Sequence, residues 1–256
     1  MTEPGRPVGP LDGQIALVTG ASSGLGRATA VAMAQAGAEV ALLARGKEDL
    51  EQVAAEVGRV GSRGLVLVAD LADAEELVGA VARAVTAFGR IDVLVNAAGT
   101  DVPGPVAELT VQDWDRVLAV NLRAPFVLAR AVFPHMRASG RGTIVNVSSV
   151  AGKRGWANAA AYCASKFALT GLTQALAAEG RQHGIRACVL YPGAMATSWG
   201  VWSPAVRETA RGERPPARRA LPPQEVAALI VWIAAAPAEL VLNEAIVSPL
   251  EEQGWP

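Results

Sequence analysis

The chain has 256 residues, of which 51% are hydrophobic and 18% are charged, and its formal net charge is -1. This composition excludes an intrinsically disordered chain, and the length suffices for one large domain with a substantial core. A net charge close to zero argues against a general affinity for nucleic acid or for an anionic membrane surface. The chain also lacks the run of about 18 consecutive apolar residues that indicates a membrane-spanning helix.

The two termini and the cysteine content bear on the cellular compartment of the protein. Residues 1–11 lack the apolar core of a secretory signal, so we expect a flexible N-terminal tail there and a second short tail over 251–256. The two cysteines, Cys163 and Cys188, are too few for a disulfide framework and lack metal-ligand spacing. We therefore expect a cytoplasmic protein without a metal site.

Short apolar runs alternate with longer segments of helical spacing along most of the chain. Strands are predicted at 15–18, 40–44, 65–69, 93–96, 143–147, 187–191 and 245–248. Helices are predicted near 25–36, 47–58, 73–88, 111–138 and 159–182, and behind Pro222-Pro223. Strands that are apolar on both faces favour a parallel sheet covered on both sides. The alternation predicts one doubly wound α/β domain over 12–250, with about seven mostly parallel strands and helices on both faces.

A glycine-rich loop follows the first predicted strand. Glycines at three positions permit a tight turn and let the backbone approach a ligand closely. The helix that follows presents free N–H groups and the positive end of its dipole, which suits a pyrophosphate. The predicted dinucleotide contacts in this loop are Gly20, Ser22, Ser23, Gly24, Leu25 and Gly26. A turn that serves packing alone remains the alternative.

The end of the second strand bears on the choice of dinucleotide. An acid at this position usually binds the ribose hydroxyls of NAD. Here Ala44 and Arg45 stand there instead. A guanidinium can bind a 2′-phosphate through two parallel hydrogen bonds, whereas an acid would repel it. The sequence therefore favours NADP(H) over NAD(H), unless Arg45 is an ordinary surface charge.

Tyr162 and Lys166 lie four residues apart on a predicted helix and so share one face, one turn apart. A phenol with a pKa of about 10 is a poor acid-base catalyst at neutral pH. A nearby ammonium favours the phenolate, so we expect Lys166 to lower the pKa of Tyr162. The alternative is a surface pair without chemical function.

Polar residues also follow the fifth and fourth strands. Ser148 and Ser149 end the fifth strand, at the sheet edge where open α/β sheets bind ligands, although a serine pair there can equally be a turn or a helix cap. Asn96 ends the fourth strand. Asn121 lies within the long apolar helix, where its amide needs a backbone partner or a bound water.

Taken together, these motifs resemble the short-chain dehydrogenase/reductase family over about residues 11–250. The resemblance rests on Thr19-Gly-x3-Gly-x-Gly26, Asp70, Asn96-Ala-Ala-Gly99, Asn121, Ser149, Tyr162-x3-Lys166, Pro192-Gly193 and Thr197. It implies a Rossmann-type fold. The ending Asn243-Glu-Ala-Ile-Val-Ser-Pro-Leu lacks the usual Gly-Gly pair and looks like the NADP-dependent carbonyl and hydroxy-acid dehydrogenase branch.

The resemblance also implies residue roles. Tyr162 would be the general acid/base, Ser149 would polarise the substrate oxygen, and Lys166 would bind the nicotinamide ribose. Asn121 would hold the water of a proton relay. The remaining cofactor contacts would be Asp70, Leu71, Asn96, Ala97, Gly99, Pro192, Gly193, Met195 and Thr197. For Asp70, a solvated acid in a turn is the alternative.

Two further features follow from the resemblance. The segment 194–216, which breaks the strand–helix pattern, would be the substrate loop, and Trp156, Trp199 and Trp202 would wall an apolar pocket or simply pack. Family members pair through helices that correspond to 111–138 and 159–182, so a homodimer or homotetramer is expected.

The sequence thus predicts reversible hydride transfer between NADP(H) and a small carbonyl or alcohol substrate. Two rival functions remain. One is an NADP-binding regulator or scaffold that does no chemistry, although Ser149, Tyr162 and Lys166 are all present. The other is an epimerase or dehydratase that acts on a nucleotide sugar, whose relatives are longer and carry a different glycine spacing.

Overall fold

The computed structural model of the chain describes residues 9–197 and 220–251. The strands in these ranges are β1 (Ile15–Thr19), β2 (Glu39–Ala44), β3 (Gly64–Val68), β4 (Val93–Asn96), β5 (Gly142–Val147), β6 (Ile185–Pro192) and β7 (Glu244–Val247). They form one sheet in the order β3-β2-β1-β4-β5-β6-β7, and every neighbouring pair is parallel. The predicted doubly wound α/β domain is confirmed.

Helices cover both faces of the sheet. They are α1 (Gly24–Gln35), α2 (Lys47–Arg59), α3 (Ala74–Phe88), α4 (Val111–Leu118), α5 (Ala124–Ser139), α6 (Ala160–Gly180) and α7 (Pro223–Ala235). The predicted helices and strands are all present, with ends that shift by one or two residues. One helix differs in kind: a π-helical turn at Ala119–Arg123 divides the predicted helix 111–138 into α4 and α5.

The apolar runs of the strands build a core on each side of the sheet. Neighbouring residues of β1 point to opposite faces, because side chains alternate along a strand. Val18 packs into the layer that contains α1, α2 and α7, and Leu17 packs into the layer that contains α3 and α5. Both side chains are fully buried. Burial on both faces explains why the strands read as continuous apolar runs.

The strand order places a cleft at one edge of the sheet. The chain runs outward from β1 to β3, then returns to β4 on the other side of β1 and continues to β7. The loops after β1 and β4 therefore leave the sheet in opposite directions. Ligands of open α/β sheets bind at such a reversal point, beyond the carboxyl ends of the strands.

The combined helix Val111–Ser139 is long and apolar enough, by length and composition alone, to cross a membrane, with a mean hydropathy of 1.4 over 18 residues. However, 56% of that window is buried inside the protein, where α5 contacts α3 and the sheet. Packing in the outer layer of the domain therefore accounts for its apolar character.

The N-terminal tail predicted over 1–11 is too long. Leu11 is fully buried in the core, and its N–H donates to the carbonyl oxygen of Ala36 at 2.9 Å. Gly9 lies so close to Ala36 that a Cβ atom on it would clash with that carbonyl. The packed domain therefore includes residues 9–11, which sequence patterning missed because one buried leucine has no periodicity.

Candidate active site

The side chains of the two adjacent serines after β5 make different contacts. Ser148 is buried, and its hydroxyl donates to the backbone carbonyl oxygen of Lys166 at 3.1 Å. Ser149 caps the short 3-10 turn Val150–Gly152, and its Oγ accepts from the N–H of Ala151 at 3.2 Å. The hydroxyls of Ser149 and Tyr162 are also hydrogen-bonded to each other. Ser149 therefore both caps the 3-10 turn and bonds to Tyr162, whereas Ser148 joins the end of β5 to α6.

Tyr162 and Lys166 lie in the first two turns of α6 and are both buried, with 7% and 3% of their surfaces exposed. The Lys166 Nζ atom is 5.6 Å from the centroid of the Tyr162 ring. It donates to the backbone carbonyl oxygen of Val147 at 2.8 Å. The pair is thus enclosed against the end of β5, and the reading of a surface pair is wrong.

Burial raises the pKa of Tyr162 above its usual value of 10, and the nearby Asp101 and Cys163 raise it further. The hydrogen bond with Ser149 acts in the opposite direction but is smaller. Burial also lowers the pKa of Lys166 to about 8. The predicted lowering of the tyrosine pKa by Lys166 is therefore wrong for these residues, because desolvation dominates and the ammonium is turned toward the Val147 carbonyl.

The side chain of Asn121 bonds to the backbone of Thr100 and to Ser165. It lies in the π-helical turn and is 1% exposed. Its Oδ1 accepts from the N–H of Thr100 at 2.8 Å, and its Nδ2 donates to the carbonyl oxygen of Thr100 at 2.8 Å and to Ser165 Oγ at 3.0 Å. Both amide hydrogens and one lone pair of the amide oxygen thus hold Thr100 against α6. The water-holding role stays a prediction.

Asn96 also uses its side chain inside the protein. It is 2% exposed, and its Nδ2 donates to Asn146 Oδ1 on the neighbouring strand β5 at 2.8 Å. Asn146 in turn donates to Thr173 on α6 at 2.9 Å. The Asn96 side chain is thus turned into the protein, and the predicted position of Asn96 beside the adenosine ribose stays a prediction. The half-buried Ala97 and Gly99, in the turn that follows, remain accessible from the cleft.

The glycine-rich loop after β1 packs tightly against the turn after β4. Gly20 has a φ of +67°, and a Cβ atom there would lie 3.0 Å from Ala98 Cα. The N–H of Ala98 donates to Thr19 Oγ1 at 3.1 Å. On Gly26, a Cβ atom would lie 2.2 Å from the Gly20 carbonyl oxygen. Each glycine is thus required by close backbone packing.

The first turn of α1 fits a dinucleotide pyrophosphate. Ser23 occupies the N-cap position, yet its side chain makes no capping hydrogen bond, and the first turn carries no acidic residue. The N–H groups at this end therefore remain available to an anion, together with the positive end of the helix dipole. Ser22 is half-buried beside them and Leu25 is buried beneath them. The residues present fit a phosphate group of a nicotinamide dinucleotide.

Arg45 and Asp70 lie at the ends of the adjacent strands β2 and β3. Arg45 is exposed and forms no ion pair with any residue in 9–197 or 220–251. Asp70 is half-buried, and its Oδ1 accepts from the N–H of Ala72 at 3.0 Å, while Leu71 packs toward the core. A local turn thus uses one Asp70 oxygen. The Arg45 guanidinium remains available to an anion.

The segment after β6 returns to the glycine-rich loop. The N–H of Gly193 donates to the Val247 carbonyl oxygen at 2.8 Å, just beyond Pro192, and Met195 forms a parallel bridge with Leu221. A Cβ atom on Gly24 would lie 3.5 Å from the Thr197 side chain. Thr197 therefore stands beside the predicted phosphate site. Trp156 is 45% exposed, whereas Trp199, Trp202 and the rest of the predicted substrate loop, 198–216, lie outside the described residues.

Asp101 belongs to the site although sequence reasoning missed it. It follows Thr100 in the loop after β4, is 8% exposed, and acts electrostatically on Tyr162. Burial raises the pKa of its carboxyl, against a smaller opposing effect of the hydrogen bond from the Val102 N–H. The only sequence signal was an acid two residues after Gly99, and nothing in the pattern indicated burial.

Comparisons with known proteins show which family the chain resembles. Residues 14–203 match a family model described as short chain dehydrogenase. The chain is 40% identical over 235 residues to a D-threitol dehydrogenase of Mycolicibacterium smegmatis, covering 90% of this chain and 89% of the relative.

Two solved structures are similar in fold and length. A metagenomic short-chain oxidoreductase in complex with NADP has a TM-score of 0.82 and 35% identity, with coverage of 95% of this chain and 100% of that one. An alcohol dehydrogenase from the archaeon Thermococcus sibiricus, complexed with 5-hydroxy-NADP, has a TM-score of 0.86 and 25% identity, with coverage of 95% and 99%.

Proposed function

Because the chain belongs to the short-chain dehydrogenase/reductase family, we propose that it is an NADP-dependent oxidoreductase that interconverts an alcohol and a ketone or aldehyde. The observation that carries this proposal is the hydrogen bond between Ser149 and Tyr162 at the carboxyl edge of the sheet. It brings two hydroxyl groups together next to the cleft in which the glycine-rich loop fits a dinucleotide.

The roles proposed for these residues follow from their chemistry. Both hydroxyls can donate to one substrate oxygen, which polarises a carbonyl and fixes its orientation. Tyr162 supplies the proton to that oxygen in the reduction and accepts it back in the oxidation. The bound nicotinamide supplies or accepts the hydride. Lys166, enclosed one turn further along α6, offers an ammonium near the phenol and near the predicted nicotinamide side of the cleft.

The preference for NADP(H) rests on Arg45. Its guanidinium is exposed at the end of β2, without an ion-pair partner among residues 9–197 and 220–251. A free guanidinium at the ribose position attracts a 2′-phosphate, which NAD lacks. The metagenomic relative was crystallised with NADP, which supports the same choice.

The substrate proposed is a small molecule with a secondary alcohol or the corresponding carbonyl. The relative with 40% identity is a dehydrogenase of D-threitol, a small polyol, which supports an alcohol of this size. Ser149 and Asp101 offer polar groups beside Tyr162, and Trp156 lies between Ser149 and Tyr162 in the chain with 45% of its surface exposed. Polar groups beside the phenol suit a polar alcohol better than a long hydrocarbon chain.

We also propose that the protein forms a homodimer or homotetramer through α4, α5 and α6. An apolar groove between these helices is lined by Leu118, Leu122, Phe126 and Leu172. Phe126 is 49% exposed and Phe167 on α6 is 47% exposed, so a second copy would cover two aromatic rings. Sedimentation should show a dimer or tetramer, and Phe126→Asp should weaken it. A monomeric wild type would contradict this contact.

The experiment that tests the proposed function is a spectrophotometric assay of NADPH oxidation against a panel of small ketones and aldehydes. We expect consumption of NADPH that depends on the carbonyl compound, together with NADP+ reduction by the matching alcohol. A protein that binds NADPH but consumes none with any compound would support the rival reading of a regulator or scaffold.

A further inference from the structure

The loop between β4 and α4 is anchored to the active-site helix at two points. At its start, Asn121 holds both the N–H and the carbonyl oxygen of Thr100 and also bonds to Ser165, one turn from Tyr162. At its other end, the N–H of Gly104 donates to the carbonyl oxygen of Asn158 at 2.9 Å, just before α6. The intervening residues are therefore fixed against the tyrosine.

Asp101 occupies this fixed segment, and only one of its carboxyl oxygens has a partner. Its Oδ1 accepts from the N–H of Val102 at 2.8 Å. Its Oδ2 has no hydrogen-bond partner within residues 9–197 and 220–251. This oxygen is also not fully enclosed, because the enclosed side-chain atoms without a partner in these ranges belong to Thr29 and Asn96. The residue as a whole is 92% buried, since 8% of its surface is exposed. One acceptor oxygen of Asp101 is thus accessible to a ligand.

Burying a carboxyl group without a cation is costly, which argues that a ligand completes its environment. No lysine, arginine or histidine within the described ranges forms an ion pair with Asp101. The carboxyl is also close enough to Tyr162 for its charge to affect the phenol. A group that pairs with Asp101 would therefore lie next to the substrate oxygen that Tyr162 binds.

Charge limits which chemical group of a substrate can pair with Asp101. A carboxylate or phosphate on the substrate would be repelled by Asp101. A cationic amine would meet the like charge of Lys166, whose Nζ lies 5.6 Å from the ring centroid of Tyr162. A hydroxyl group carries no charge and donates a hydrogen bond, so it satisfies the free oxygen without either conflict.

We propose that Asp101 is a specificity-determining residue that accepts a hydrogen bond from a second hydroxyl group of the substrate, adjacent to the hydroxyl that reacts at Tyr162. The substrate class would then be vicinal diols and the corresponding hydroxy ketones. This inference rests on the proposed function, because it assigns a partner within the same substrate site.

The test compares the oxidation of vicinal cyclohexanediol and cyclohexanol by the full-length protein with NADP+. The two compounds share the ring and the reacting carbinol and differ by one hydroxyl group. We expect the wild type to have the higher kcat/KM for the diol. Asp101→Asn, which keeps an oxygen for the Val102 N–H, should reduce the diol-to-alcohol ratio of kcat/KM roughly tenfold to hundredfold, mainly through KM for the diol.

Glu108→Gln is the matched control, because Glu108 is an exposed acid in the same connection between β4 and α4. It should leave the ratio unchanged. A ratio that Asp101→Asn leaves within twofold of wild type would overturn the assignment of Asp101 while the proposed function stands. A Glu108→Gln variant that lowers the ratio as much as Asp101→Asn does would also overturn the assignment of Asp101. Failure of the wild type to oxidise either alcohol would count against the proposed function itself and against the inference that rests on it.

Discussion

The ammonium group of Lys166 donates a hydrogen bond to the backbone carbonyl oxygen of Val147, the last residue of β5, at 2.8 Å. The lysine is 3% exposed, and burial lowers its pKa to about 8. It therefore pays a desolvation cost that a carbonyl dipole offsets only in part. A buried cation next to the proposed catalytic tyrosine is expected where a group is kept for function at the expense of stability.

The cost of burying Lys166 predicts how stability depends on pH. Because its folded pKa of about 8 is below its usual value of 10.5, the cost is fully present below pH 8 and disappears as the pH rises toward 10.5. Relative to Lys166→Met, the wild type should gain roughly 3 kcal/mol of unfolding free energy between neutral pH and pH 10.5 or above. Denaturant unfolding at several pH values measures this difference.

Lys47→Met is the matched control for that series, because the Lys47 side chain is 70% exposed and solvent already surrounds its ammonium. The difference in unfolding free energy between Lys47→Met and the wild type should therefore stay nearly constant over this pH range. A constant difference between wild type and Lys166→Met across the same pH range would show that the lysine is not buried as the structure describes.

The pH dependence of alcohol oxidation should report the ionisation of Tyr162. The phenolate accepts the substrate proton, and burial raises the pKa of the phenol above its usual value of 10, so kcat/KM for oxidation should rise with pH through the alkaline range. Besides Lys166, the groups that act on the phenol are Ser149, Asp101 and Cys163, and the Asp101 charge raises its pKa. Asp101→Asn should therefore move the rise to lower pH. An unchanged or alkaline-shifted profile, measured with cyclohexanol as substrate, would be the contrary result.

The clamp formed by Asn121 predicts a structural phenotype. Asn121→Ala removes the partners of the Thr100 N–H and carbonyl oxygen and one partner of Ser165. Leaving these groups unpaired should lower the free energy of unfolding by about 2–4 kcal/mol, and activity should fall with it because Asp101 loses its position. Urea denaturation compares this variant with Gln112→Ala, an exposed change on α4. An Asn121→Ala protein as stable as the wild type would contradict this clamp.

Replacing Arg45 by aspartate should reverse the cofactor preference. The guanidinium would no longer bind a 2′-phosphate, and the new carboxylate would repel it and bind the ribose hydroxyls of NAD. NADPH affinity should fall by roughly tenfold to hundredfold, as expected for the loss of a charge-assisted hydrogen bond, while NADH affinity rises. Fluorescence titration with both cofactors measures the change, and Arg59→Asp at the other end of α2 is the control. Unaltered NADPH affinity would remove the basis for NADP.

The strand and helix pattern could be predicted from the sequence because local patterning carries it. Parallel strands buried on both faces, such as β1, read as apolar runs, and the glycines at 20, 24 and 26 mark the turn that follows. The choice of Ser149 over Ser148, in contrast, came from the family resemblance alone. In the structure the two serines differ in their partners, since Ser148 bonds to the Lys166 carbonyl oxygen of α6 and Ser149 bonds to Tyr162.

What could not be predicted depends on contacts between distant segments. The burial of Tyr162 and Lys166, which reverses the expected pKa shift of the tyrosine, arises from packing against β5 and the loop after β4. Asp101 gave no pattern because its place depends on Asn121, 20 positions further along the chain, and on Asn158. For Asn121 the sequence left a backbone partner and a bound water as alternatives, and only the fold shows that its side chain bonds to the backbone of Thr100.

The most direct test of the account is the activity of Tyr162→Phe, measured as carbonyl-dependent NADPH oxidation beside the binding of NADPH. Tyr191→Phe is the matched control, since Tyr191 is a buried tyrosine of β6 whose hydroxyl donates to Thr170 Oγ1 at 3.1 Å, two turns beyond Tyr162 on α6. The account predicts that Tyr162→Phe binds NADPH as the wild type does and loses activity by about a hundredfold or more, whereas Tyr191→Phe stays active. Turnover by Tyr162→Phe within tenfold of wild type would contradict it.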